Sequence, residues 1–215
     1  MKLLKKDLRL ATSPLTPLFL LFAGMALIPR YPILVGAFFI CLGIFYSFQS
    51  FRESGDILFT VLLPVCKRDL VRSKYRFTVL FELLGFLLML ILTALRLTLL
   101  RGDVYADSPL LNANLTYLSG ALLIFLLFNT LFLGGFFKTA YYFGKPFVTF
   151  AVAAFLLIVV IEVLHHVPGL AFLNGTEGGA LLRQLPILAV CAVAYALGTL
   201  ASRKKAEQRF EALDL

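Results

Sequence analysis

Charge is what this sequence has least of. Only 15% of its 215 residues are charged and 60% are hydrophobic, where a soluble domain carries ~25% charged and ~45–50% apolar residues. Cysteine is nearly absent: Cys41, Cys66 and Cys191 are odd in number and scattered, and two of them fall inside apolar runs. That excludes a disulfide framework and a zinc-ligand spacing, and leaves small polarizable core residues. No Gly-x4-Gly-Lys-Ser/Thr run occurs, so no nucleotide phosphate is cradled by that loop. "FGKPF" at 143–147 has a Gly-Lys pair without the loop or the hydroxyl, and reads as a turn. There is no Trp beside 22 Phe, and no internal repeat.

What is present is a series of long uncharged stretches. At ~1.5 Å per helical residue, about 20 of them cross a hydrocarbon core ~30 Å thick. The runs predict an all-α integral membrane protein, a single transmembrane domain over 1–215, with six transmembrane helices at 15–29, 32–50, 78–99, 115–137, 147–165 and 184–201. The first is the shortest and is bracketed by Pro14, Pro17 and Pro29. The pieces between follow: residues 1–13, spans one and two over 15–50, a loop at 51–77, spans three and four over 78–137, a loop at 138–146, spans five and six over 147–201, and a tail at 202–215.

Lys and Arg set the orientation. Sixteen of the 20 lie at the termini and in the 51–77 and 138–146 loops, while Arg30, Arg96, Arg101 and Arg183 lie on the other side. The positive-inside bias therefore puts both termini in the cytoplasm of a multi-pass plasma-membrane protein. It also explains the net charge of +8 without nucleic acid as a partner. In "MKLLKKDLRLATSP", Asp7 and Arg9 interrupt any signal-peptide pattern, whereas Leu4, Leu8 and Ala11 share one helical face. The expectation is an interfacial helix lying on the lipid bilayer.

Polar residues inside the spans are few, and each is a candidate for a pathway or gate because charge at membrane depth is costly. Glu82 stands one turn past Arg76, where an interfacial ion pair is the plainer reading, and Asn129 is expected to bond across helices. Glu162, His165 and His166 fall on one helical face at the outer end of span five. The trio is not the His-Glu-x-x-His metal pattern, and a solvated or structural role is the plainer alternative to a gate. Gly36 with Gly43, and Ala189, Ala192, Ala196 and Thr199, give spans two and six small-residue faces for close helix approach.

The densest charge lies in "TVLLPVCKRDLVRSKYRF", residues 60–77, where Lys67, Arg68, Arg72, Lys74 and Arg76 crowd between two apolar runs. Leu63, Cys66, Leu70, Val71 and Tyr75 recur at helical spacing, and Pro64 suits a first helical turn. A short amphipathic helix is expected here, with a lipid-headgroup anchor as the plain alternative. The segment resembles the first cytoplasmic loop of permease subunits of the type-2 family of ABC transporters, in Leu63, Pro64, Val65, Lys67, Arg68, Asp69, Leu70, Val71, Lys74 and Tyr75. The Lys6–Asp7 pair is similar to that family's amino terminus, and "YYFGKPF" (141–147) to a second loop pattern whose Gly-x-x-Lys spacing is not kept here. Within the family the chain looks nearest to small six-span bacterial exporters of amphipathic peptides, such as the phenol-soluble modulin exporters.

The resemblance implies a cytoplasmic coupling helix between spans two and three that docks into a separate ABC ATPase subunit, two copies of which are expected. It implies a second permease subunit in a homo- or heterodimer, no catalysis and no cofactor in this chain, and ATP and Mg in the partner. The expected function is export of an amphipathic peptide or hydrophobic molecule. Two rivals stand beside it. A proton-coupled secondary transporter would use Glu82, Glu162 and His165, and a membrane-embedded metal enzyme would use Glu162, His165 and His166.

Overall fold

The computed structural model describes residues 2–62, 65–100, 109–139 and 142–212. About 80% of the chain is helical, and the described residues contain no strand. Helix α1, Lys2–Lys6, widens into a π turn over Asp7–Ala11. Helix α2, Leu15–Phe19, tightens into a 3₁₀ stretch over Leu20–Leu27. Then come α3, Val35–Glu53; α4, Asp56–Val61; α5, Lys67–Thr98; α6, Leu115–Phe136; α7, Gly144–Leu164; and α8, Gly178–Glu211.

Five of these, α3 and α5 to α8, are long and apolar enough to cross a membrane. The Leu15–Leu27 segment is shorter, but its 3₁₀ part rises ~2.0 Å per residue instead of ~1.5 Å, so it spans about 24 Å. It runs antiparallel to α3 and very close to it. The Thr16 hydroxyl donates to the Gly43 carbonyl at 2.7 Å. A Cβ on Gly36 would stand 2.6 Å from the Phe22 carbonyl oxygen, and one on Gly43 would collide with the Phe19 Cβ. The small face of α3 is thus filled by the neighbouring segment of the same chain.

Phenylalanine fills the centre. Phe45 of α3 stacks on Phe147 of α7 at 4.0 Å between centroids, and Phe48 meets Phe132 of α6 edge-on at 5.4 Å. Such offset and edge contacts add about 0.5–1.5 kcal/mol each beyond the area they bury. Helix α6 is the most enclosed span, with 67% of its apolar window buried, whereas α7 has 17% and turns most of its surface outward.

Two boundaries differ from the sequence reading for one reason. The coupling helix expected at 64–75 is not a separate element, because α5 begins at Lys67 and continues unbroken to Thr98. Neither Pro nor Gly stands between Cys66 and Gly85 to interrupt it. The expected tail at 202–215 is helical through Glu211, as the end of α8. At about 48 and 51 Å these two helices exceed the hydrocarbon thickness, so both extend beyond it as a pair. Leu63 and Pro64, expected at the start of the coupling helix, lie outside the described residues.

Candidate functional site

Three polar clusters among the described residues gather the candidate site residues within a largely apolar bundle. The first joins the amino-terminal segment and α5 to the α4 corner. Gly55, at φ 64°, turns α3 into α4 and brings Asp56 back toward the bundle. Lys74 of α5, only 1% exposed, reaches Asp7 Oδ1 at 2.9 Å and Asp56 Oδ2 at 2.8 Å, with its ammonium 3.2 Å from the centroid of Phe51. Lys6 closes the ring on Asp56 Oδ1 at 2.7 Å and donates to the Thr60 hydroxyl at 2.6 Å. The Ser73 hydroxyl donates to Asp7 Oδ2 at 2.7 Å. Two cations and two carboxylates balance here, so each buried charge has a partner. Burial pushes the Asp56 carboxyl up, but Lys74 and Lys6 outweigh it and hold the group below its ordinary value.

Around this ring α5 and α8 are pinned together. Arg72 forks onto Glu207, Nε to Oε1 at 3.0 Å and Nη2 to Oε2 at 3.3 Å, and Arg68 pairs with Glu211. Tyr75 lies parallel to the Phe137 ring and shares a 2.9 Å hydrogen bond with Ser202. Leu70, Val71 and Tyr75 are all 2% exposed or less, Leu70 beside Leu3 of α1 and Thr60 of α4. The seam expected to face a partner protein is covered by the chain itself. Lys74, one of the basic residues of that segment, is the centre of the ion-pair ring. Lys67 is partly exposed, and Arg68 and Asp69 are exposed. Among the described side chains at this corner, the large apolar Phe59 and Leu62 are left outside, 60% and 85% exposed.

The second cluster sits deeper, between α5, α6 and α8. Glu82 and Asn129 are both 0% exposed. Tyr195 donates to Glu82 Oε2 at 2.6 Å, and Asn129 Nδ2 donates to the same oxygen at 2.8 Å and to Thr199 Oγ1 at 3.2 Å. Glu82 Oε1 and Asn129 Oδ1 have no hydrogen-bond partner. Asn129 lies in a π turn, Phe128–Leu133; such turns displace the helical hydrogen-bond register and recur at functional sites. The Asn129 carbonyl accepts instead from the hydroxyls of Ser202 at 2.7 Å and Tyr75 at 3.3 Å. Arg76, the plainer partner read from sequence, makes no ion pair with Glu82. Among the described residues no cation pairs with that carboxylate.

The third cluster caps the opposite end of the bundle. Glu162 Oε2 accepts the Leu111 amide at 2.9 Å, and His165 Nε2 lies 3.3 Å from the Pro109 carbonyl, with the His166 ring 4.1 Å away. Burial, and then the neighbouring His166, hold His165 below its usual value. Among the described residues no group of three or more His, Cys, Asp or Glu could hold a metal ion. Asn114 caps α6 by accepting the Tyr117 amide at 3.1 Å and donates to the Leu173 carbonyl at 2.8 Å. Gln184 accepts the Leu115 amide and donates to the carbonyls of Phe172 and Gly175. Arg96 reaches the Ala26 carbonyl at 2.7 Å and Asn112 at 3.1 Å.

The structure thus brings Glu82 and Asn129 together and keeps them apart from Glu162 and His165, which occupy another end. Sequence reasoning missed Asp56, Tyr195, Gln184 and Asn114 as members of these clusters. Asp56 alone carried a visible signal, as an isolated acid beside a basic segment.

Residues 2–204 match the profile of a family described as ABC-2 family transporter protein. No curated protein and no solved structure matches the chain.

Proposed function

Because this chain belongs to the ABC-2 transporter family, we propose that it is the membrane-spanning permease subunit of an ATP-driven exporter, coupled to a separate ATPase. The Leu15–Leu27 segment acts as a sixth crossing beside the five long helices. The ion pairs of Lys74 with Asp7 and of Arg72 with Glu207 support this, since two chain ends at one end of the bundle require an even number of crossings. That end carries most of the Lys and Arg and is cytoplasmic by the positive-inside bias. ATP and Mg²⁺ are bound by two ATPase copies, which engage this permease paired with a second copy or a relative. The cargo is an amphipathic peptide or hydrophobic molecule, in keeping with the resemblance carried by residues 63–75.

The observation that carries the coupling reading is the exposed apolar corner at Phe59 and Leu62, mounted on a buried, charge-balanced ring. Burying such side chains stabilises a contact by about 1.5–3 kcal/mol each, more than exposed ion pairs at ~0–1 kcal/mol. ATP-dependent movement of the ATPase would pull on Asp56 and Thr60 and, through Lys74, on α1 and α5 together. Co-purification in detergent tests this. Phe59→Asp with Leu62→Asp should lose the ATPase while the permease elutes normally, whereas Leu70→Asp, in the covered seam, should fail by misfolding. Retention of the ATPase at full stoichiometry by the Phe59/Leu62 variant would refute docking at this corner. Transport in proteoliposomes that lack the ATPase, driven by a proton gradient and lost in Glu82→Gln, would favour the secondary-transporter reading.

A further inference from the structure

Between α5 and α8 lies a groove of about 530 Å³. This is within the size range of small-ligand sites, roughly 300–1,000 Å³. Its walls are apolar, built from Val79, Leu80 and Leu83 on α5 and Ala196 and Leu200 on α8, with Leu4 of α1 beside them. Arg76 and Arg203 also line it. On α5 the wall extends from Arg76 to Leu83, about 10 Å along the helix axis. A charged end and an apolar wall of that depth match the step from lipid headgroup to acyl chain.

The charges lining the groove are only partly balanced from within. Arg76 is exposed and has no ion-pair partner among the described residues. Arg203 Nε lies 3.3 Å from Glu207 Oε1 without making a hydrogen bond, and Glu207 is already held by the fork of Arg72. Two guanidiniums of α5 and α8 thus share one carboxylate, and a third has none.

We propose that this groove binds an anionic phospholipid of the inner leaflet, its phosphate between Arg76 and Arg203 and an acyl chain along Val79, Leu83 and Ala196. Basic pockets between transmembrane helices on the cytoplasmic side suit such headgroups, each basic residue contributing about 1 kcal/mol. Arg forks phosphate oxygens where a Lys would give a point charge. The apolar wall selects a lipid over a free phosphate. The bound lipid would sit against Tyr195 and Thr199, which also line the groove and belong to the Glu82 cluster. The site rests on the membrane placement of the bundle and not on ATPase docking.

Native mass spectrometry of the full chain in detergent tests it, with dioleoylphosphatidylglycerol and dioleoylphosphatidylcholine as probes. The wild type should retain phosphatidylglycerol in preference to phosphatidylcholine. Arg76→Gln or Arg203→Gln should each weaken retention about fivefold, and the pair about thirtyfold. Lys204→Gln, an equal loss of charge on the exposed face of α8, should change nothing. Ala196→Phe, which fills the groove without altering charge, should also displace the lipid. Equal retention of the two lipids by the wild type overturns the proposal without reference to any variant. A loss in Lys204→Gln as large as in Arg76→Gln would reduce the effect to diffuse surface charge. Full competition by glycerol phosphate would show a headgroup-only site. Either result rejects the groove.

Discussion

Two buried polar clusters in this molecule share one helix, α5, and are built on opposite principles. Around Lys74 every charge meets its opposite: Lys74 and Lys6 face Asp7 and Asp56 at 2.7–2.9 Å. Around Glu82 one carboxylate is met by a phenol and an amide, and one of its oxygens is left over. Glu82 follows Lys74 by eight residues along α5. A balanced ring resists separation, because pulling any member out strands a charge in a poor dielectric. A carboxyl group held only by neutral donors strands no opposite charge when those donors swing away and meet other partners. The first arrangement suits a joint that moves as one piece, and the second a contact that is made and broken as α5, α6 and α8 shift.

The largest expected effect comes from breaking the joint. Lys74→Met removes one cation and leaves Asp7 and Asp56 facing each other, so it should destabilise the detergent-purified protein by about 3–5 kcal/mol. Thermal unfolding followed by tryptophan-free methods, such as circular dichroism, reads it directly. A loss near zero would mean that the ring is wet and that the contrast with Glu82 does not exist.

How much of this was visible in the sequence depends on what each signal measures. Apolar run length revealed α3, α6 and α7 nearly to their ends, because crossing a membrane demands that length of any chain. Helical spacing of Leu70, Val71 and Tyr75 revealed an apolar face but not what covers it. Tyr75 is covered from α8, where it bonds Ser202, and Leu70 lies beside Leu3 of α1 and Thr60 of α4; α8 beyond Ser202 is itself packed in, with Ala206 and Phe210 0% exposed and Phe210 meeting Phe137 at 5.6 Å. Those residues lie among four basic side chains and read locally as a tail. Lys74 was equally opaque, since its two acids stand 67 and 18 residues away. The Glu82 cluster was half legible: intramembrane polarity marked Glu82 and Asn129, while Tyr195, 113 residues on, looks like any interfacial aromatic.

A smaller effect should separate the clusters by pH. Lys74 and Lys6 hold Asp56 below the ordinary carboxyl value of 3.8 against the opposing push of burial. A carboxyl depressed in the folded state stabilises fully above its unfolded value, and that stabilisation fades as pH falls through the lower, folded one. Unfolding midpoints of the wild type should therefore drop more steeply below about pH 4 than those of Asp56→Asn, and the two curves should run parallel near neutrality. A divergence that begins at pH 6 would assign the acid limb to another group, with His165 the first to examine.

The smallest expected effect belongs to Glu82→Gln. The side-chain carbonyl of Gln can accept from Tyr195 and Asn129 as Glu82 Oε2 does, and its amide can turn toward the unpartnered Asn129 Oδ1. No cation loses a partner and the side chain keeps its shape, so stability should stay within about 1 kcal/mol of the wild type. Function is where the change should appear. If this contact opens and closes during transport, a Gln that holds its neighbours in both donor and acceptor senses should slow export while leaving ATPase binding intact. Reconstituted transport and co-purification, measured on the same preparation, give both numbers. Destabilisation as deep as that of Lys74→Met would make Glu82 a second rigid joint, and the division of labour between the two clusters would be wrong.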